Sequence, residues 1–96
     1  MALAVIVNFT VKAGEENQAK ELIKKMEEQT RREPGCRHYI GHHSVEDPRR
    51  FMFYELYNDQ AALDAHSASS YYRQYVTNGL QKIIETRLVG MFQTVD

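Results

Sequence analysis

Ninety-six residues suit one domain, 1–96, and leave no room for two. Twelve basic and thirteen acidic residues give a formal charge of −1, which excludes the basic face of a nucleic-acid binder. Cys36 is the single cysteine, so no internal disulfide forms, and the chain fits a reducing compartment, the cytoplasm.

The chain opens on an apolar stretch that lacks a basic leader region and ends in Asn8 and Thr10, so it reads as a strand and not a signal peptide. No apolar run is long enough to span a membrane. The strand covers 3–11, with Leu3, Val5, Val7, Phe9 and Val11 on one face and Ala4, Ile6, Asn8 and Thr10 on the other. Lys12-Ala13-Gly14 makes a turn. A helix over about 15–31 follows, acidic in its first turn, with Ala19, Leu22, Ile23, Met26 and Thr30 as its apolar stripe. Glu33-Pro34-Gly35 stops it. Strands over 36–45 and 50–57 flank the turn Glu46-Asp47-Pro48-Arg49 and form a hairpin. Asn58 or Asp59 caps a helix over 60–67. A second begins at Ser69 or Ser70 and runs to 78, where Asn78-Gly79 interrupts it. Leu80, Ile83 and Ile84 form a last helical turn, and a strand over 86–95 ends the chain.

The order β-α-β-β-α-β is the split arrangement of a ferredoxin-like α+β fold. Helices normally cover one face of such a sheet. Strands one, three and four are apolar on both faces, so the open face predicts a homodimer with two sheets packed together into a barrel-like core.

Glu55 stands out as the one charge within 51–57. A carboxylate there is costly unless paired or protonated. It is either a structural pair with an arginine, a pocket acid/base or anchor for a histidine, or a wet edge residue. His66 lies three after Leu63 and four after Ala62, on the packed side of its helix. It is either a core or capping residue or a proton shuttle near neutral pH. Contact between Glu55 and His66 is geometrically reasonable. Asn8 interrupts the first strand; it is either satisfied locally near the strand end or, since strands one and three are neighbours in a ferredoxin-like sheet, lines one cavity with Glu55. Tyr72, Tyr54 and Tyr75 are the aromatic pocket candidates, Tyr72 being favoured over Tyr71 because it aligns with Tyr75 and Val76.

Metal and cofactor sites are not expected. Cys36, His38 and His42 fall on one strand face by simple alternation, but His38 and His42 then stand roughly 13 Å apart at about 3.3 Å per residue, too far to share an ion whose ligands lie about 2 Å away. His43 points to the opposite face. Cys36 has no base beside it and reads as a half-buried thiol. The five glycines make no phosphate-cradling loop.

Together, Glu33-Pro34-Gly35-Cys36, Tyr39, Asp47-Pro48, Phe53-Tyr54-Glu55-x-Tyr57-x-Asp59, Ala62, His66 and 69–72 resemble the antibiotic biosynthesis monooxygenase domain family, small dimeric α+β barrels that include cofactor-independent quinol monooxygenases. The resemblance implies a pocket between sheet and helices. It also implies oxidation of a phenol or quinol to a quinone by dioxygen, without metal or flavin, with His66 as base, Glu55 as its orienter and Asn8 as an anion donor. Haem-degrading relatives use a tryptophan and a histidine in the long helix. This chain has no tryptophan, and its 70–78 helix has no histidine. Two other functions stay open: an isomerase acting on a small carbonyl compound or sugar phosphate, and a non-catalytic dimeric module that binds a small aromatic or polar metabolite or serves in stress response.

Overall fold

The computed structural model describes all residues, Met1–Asp96. β1 (Leu3–Val11) leads through a turn at Gly14, whose φ of 89° needs a glycine, into α1 (Glu16–Thr30). The Glu16 carboxylate accepts from the Gly14 amide at 2.7 Å and so helps secure the helix start. β2 (Cys36–His43) and β3 (Arg50–Tyr57) form the hairpin. β2 ends two residues before the expected limit because the Ser44 hydroxyl accepts from the Glu46 and Asp47 amides and starts the turn. α2 (Gln60–Ser67) is capped by Asp59, whose side chain accepts from the Ala62 amide.

The region after Ser69 departs from expectation. α3 (Ser70–Tyr72), a π-helical segment (Arg73–Leu80) and α4 (Gln81–Ile83) follow one another without a break at Asn78-Gly79. Gly79 keeps a negative φ. Its role is packing: a Cβ there would lie 3.1 Å from Leu22 Cδ2. Glycine thus serves close approach to α1 and does not terminate the rod. β4 (Ile84–Gln93) starts and ends two residues early, beginning where Ile84 pairs with Val11 across a register shift.

The sheet is antiparallel in the order β2-β3-β1-β4, the ferredoxin-like arrangement. Its covered face carries the core, where Phe9, Phe51, Phe53 and Tyr39 meet Ala19, Leu22, Ile23 and Met26 of α1. The free edge of β2 is closed by α1 side chains. Glu27 accepts from the Gly41 amide at 2.8 Å, and Arg31 donates to the Tyr39 carbonyl at 3.2 Å. No helix is long and apolar enough to cross a membrane.

A bulge between Cys36 and His38 corrects the facing of β2. Cys36 pairs with Tyr57 and His38 with Leu56, so Cys36 lies on the helix-covered face with Tyr39, while His38 and His42 lie on the other. Burial and the nearby Glu33 and Glu55 carboxylates push the Cys36 thiol up to about 11, which makes it a poor nucleophile.

Gly35 sets how closely α2 approaches the loop after α1, since a Cβ there would sit 2.5 Å from the Ala62 Cβ. Gly35→Ala is expected to cost about 1–3 kcal/mol by overpacking. Chemical denaturation measures it, and an unchanged midpoint would show that this contact does not constrain α2.

Candidate functional site

One cavity of about 240 Å³ lies between the covered sheet face and α2–α4, lined by sixteen residues of which twelve are hydrophobic. An engineered apolar cavity of about 150 Å³ holds benzene, so this space admits one substituted aromatic ring. Val5, Val7 and Phe9 of β1 form its floor. Tyr72, Val76, Leu80 and Ile84, at steps of four, form a wall.

Glu55 is 6% exposed and lines this cavity from β3, between Val5 of β1 and Tyr39 of β2. Tyr57, two residues on and so on the same face, donates its hydroxyl to Glu55 Oε1 at 2.7 Å. The other carboxyl oxygen has no protein partner. Burial raises the Glu55 pKa to about 7; the Tyr57 hydrogen bond opposes the rise and the Glu33 charge adds to it. Glu55 can therefore hold or release a proton at neutral pH.

His66 is 2% exposed at the end of α2 and lines the same cavity. Its Nδ1 lies 3.0 Å from Glu33 Oε2. A carboxylate only accepts, so Nδ1 carries the hydrogen and Nε2 is left as the basic nitrogen. Burial lowers the His66 pKa while the Glu33 bond and charge raise it, and the ring is neutral at pH 7. Tyr71 donates its hydroxyl to the same Glu33 oxygen. The imidazole is boxed by rings: Tyr57 and Tyr72 centroids at 5.3 Å, Tyr39 at 5.5 Å, with Tyr72 edge-on.

Several sequence expectations change here. His66 is oriented by Glu33 and not by Glu55, because the tight Gly35–Ala62 approach brings the loop after α1 beneath α2. Asn8 is not in the cavity. It opposes Met52 and Leu88, an odd number of residues from Val5, and lines a separate surface hollow with Thr10, Asp47 and Arg50. Tyr54 also faces away, its ring centroid 6.2 Å from that of His38. Tyr75 is half-buried against the core and does not line the cavity, and Tyr72 does.

Sequence reasoning missed the site roles of Glu33, Tyr57, Tyr71 and Arg87. Tyr57 was within reach of a sequence argument, since residues i and i+2 of a strand share a face. Arg87 lines the cavity from β4 because it opposes Phe9. Glu33 had no local signal, as its role depends on how a loop meets a helix 33 residues on.

These features define a small ferredoxin-like protein with a one-ring pocket holding two separate acid/base pairs. The sequence matches the family model described as antibiotic biosynthesis monooxygenase over residues 2–78, and the chain belongs to that family. It is 30% identical over 95 residues to the uncharacterized protein sll1783 of Synechocystis, matching 96% of this chain and spanning 65% of that protein's length. Among solved structures, one named antibiotic biosynthesis monooxygenase is 28% identical with a TM-score of 0.90, covering 98% of this chain and 99% of that one. Rv0793 of Mycobacterium tuberculosis is 26% identical with a TM-score of 0.90, covering 100% and 97%. A protein of Nitrosomonas europaea is 26% identical with a TM-score of 0.92, covering 98% and 90%.

The raised Glu55 pKa has a consequence for stability. As pH rises from 4.5 toward 7, the unfolded chain releases this proton while the folded chain keeps it, so stability falls with rising pH. Glu55→Gln should remove that cost, raising stability at pH 8 by up to about 3 kcal/mol and leaving pH 4 nearly unchanged. Thermal melts at both pH values measure it, and equal effects at the two would exclude a raised pKa.

Proposed function

We propose that this protein is a cofactor-independent monooxygenase that oxidises a small phenol or quinol to a quinone with dioxygen, in the cytoplasm. The observation that carries the reading is the neutral His66, held by Glu33 with Nε2 left basic, in a cavity sized for one ring. Family membership supports monooxygenase chemistry.

In this reading, His66 Nε2 takes the hydroxyl proton of the bound phenol. Glu33 stabilises the resulting imidazolium and fixes the ring's orientation. The electron-rich phenolate then reduces dioxygen, which the apolar walls admit while excluding water. For either substrate one oxygen atom replaces a ring hydrogen and the other leaves as water, so a phenol gives a quinone and a hydroquinone gives a hydroxyquinone. The four electrons that dioxygen accepts come from the ring carbon and the hydroxyl, so the product is the quinone. Glu55, protonated near neutrality and linked to Tyr57, is placed to donate a hydrogen bond to an oxygen of the substrate or of the reduced dioxygen. That role replaces the one the resemblance implied for Asn8.

The observation that favours a second reading is that Glu55 and His66 face one cavity with pKa values pushed in opposite directions. Such a pair also suits an isomerase that moves a proton along a small carbonyl compound. Dioxygen uptake separates the two.

We further infer a homodimer through the open sheet face. Ile6, Met52, Leu56, Leu88 and Phe92 share that face, with Leu88 73% and Phe92 59% exposed. Arg50, at its end, is the one arginine, lysine or acidic residue among the paired strand positions of that face. A patch so apolar is self-complementary about a two-fold axis.

With a panel of hydroquinones, wild-type protein should consume dioxygen above the autoxidation rate. His66→Ala should lose at least about a hundredfold in kcat, the scale of general-base catalysis. An unchanged rate in the variant would remove His66 from the reaction. Glu33→Gln should reduce kcat and move the acid limb of the kcat/KM profile to lower pH, because the Glu33 charge raises the His66 pKa. A shift to higher pH would exclude this pairing. Phe92→Glu should convert a dimer to a monomer by sedimentation, and an unchanged mass would place the interface elsewhere.

A further inference from the structure

Besides hydroxyl groups, the polar side chains of the cavity stand at two places, and the two differ in charge. Deep in the pocket stand Glu55 and the neutral His66, and neither supplies a positive charge: Glu55 is neutral or negative, and His66 is already paired to Glu33. At the open side stands Arg87, the one permanent cation among the lining residues. Its strand neighbours Val89 and Met91 line the same wall and are themselves half-exposed, so this is the mouth.

Arg87 is not used by the fold. The acid nearest it on β4, Glu85, pairs with Arg49 at 3.5 Å, and the other ion pairs join Glu27 to Arg31 and Glu33 to His66. Its charge is felt on the pocket wall, where it opposes the burial that raises the Tyr72 phenol. Tyr72 in turn sits edge-on to His66. The wall therefore runs Arg87, Tyr72, His66 from mouth to interior. Arg87 opposes Phe9 whereas Glu55 opposes Val5. The two backbone positions are four rows apart along the strands, roughly 13 Å at about 3.3 Å per residue, and two strands apart across β1, roughly 10 Å at about 4.8 Å per spacing, so they stand roughly 16 Å from each other. With the reach of the arginine side chain, one ring bearing a hydroxyl at one end and an acid at the other fills that span.

We propose that Arg87 forms an anion subsite at the mouth of the cavity, and that the pocket selects a small phenol or quinol carrying a carboxylate, with the acid on Arg87 and the hydroxyl at His66. The substrate class rests on the phenol-oxidising reading above; the anion subsite does not. A planar guanidinium matches a carboxylate with two parallel hydrogen bonds, which orients the ring as well as holding it. Reversed binding would take the acid away from Arg87, the one permanent cation of the lining, so the charge layout selects one orientation.

The test uses binding without turnover. Under anaerobic conditions at pH 7.5, calorimetry compares gentisate, a hydroquinone carboxylate, with its uncharged amide, gentisamide, on wild type, Arg87→Gln and Arg87→Lys. Wild type should prefer the acid by at least about fivefold, as expected for a charge-assisted contact that is partly solvated. The preference should vanish in Arg87→Gln and survive in part in Arg87→Lys, with melting temperatures confirming that both variants fold. A wild-type preference for the amide, a preference that persists in Arg87→Gln, or no binding of either ligand overturns the proposal. Dioxygen uptake with gentisate itself, and with unsubstituted hydroquinone, is scored separately. Selective binding of gentisate without uptake sinks the oxygenase reading and leaves the anion subsite standing.

Discussion

Every strand residue of the candidate site is sorted by the two-residue period of a sheet that carries helices on only one face. Glu55, Tyr57, Tyr39, Val5 and Arg87 fall on the covered face and meet α2–α4 across a cavity. Asn8 and Tyr54, one step out of phase, fall on the open face. A shift of a single residue in any strand would exchange these sets. The bulge at Arg37 does this within β2: it brings Cys36 onto the Tyr57 side and leaves His38 on the other.

Into that cavity the protein places two ionisable groups and treats them differently. Glu55 accepts one hydroxyl and is otherwise surrounded by apolar walls, so desolvation governs it and its pKa rises. His66 is also desolvated, which keeps it neutral, and the Glu33 carboxylate moderates the effect and selects the tautomer. Burial thus pushes both groups toward their uncharged forms, an acid that keeps its proton longer and a base that stays free. Neither arrangement maximises stability; buried polar groups of this kind are retained at functional sites.

The second polar layer explains how α2 is held. Tyr71 and His66 converge on one oxygen of Glu33, tying the loop after α1 to α2 and α3. The Asn58 amide donates to the Gly35 carbonyl and anchors the same loop to the end of β3. A loop, a strand end and two helices thus share one small polar knot at the side of the pocket, so the orientation of His66 is set by packing over three chain segments.

The fold was legible from the residues alone because it follows from local rules. Alternation marked β1 and β3 at their observed limits, Pro34-Gly35 closed α1, and Asp59 opened α2. Burial of Glu55 and His66 was also legible, since a lone charge in an apolar strand and a histidine on a packed stripe carry their own signal. What the sequence could not supply was partnership. Glu33 is 33 residues from His66, and Arg87 reaches the cavity only because β4 pairs with β1 at the sheet edge. Asn8 needed a phase relation between two strands, which depends on register. Gly79 resembled a helix stop until Leu22 packed against it. Periodicity and turn chemistry are properties of neighbouring residues, so the chain determined its elements by itself. Which side chains share a proton depends on distances between segments far apart in sequence, and only the tertiary structure decided those.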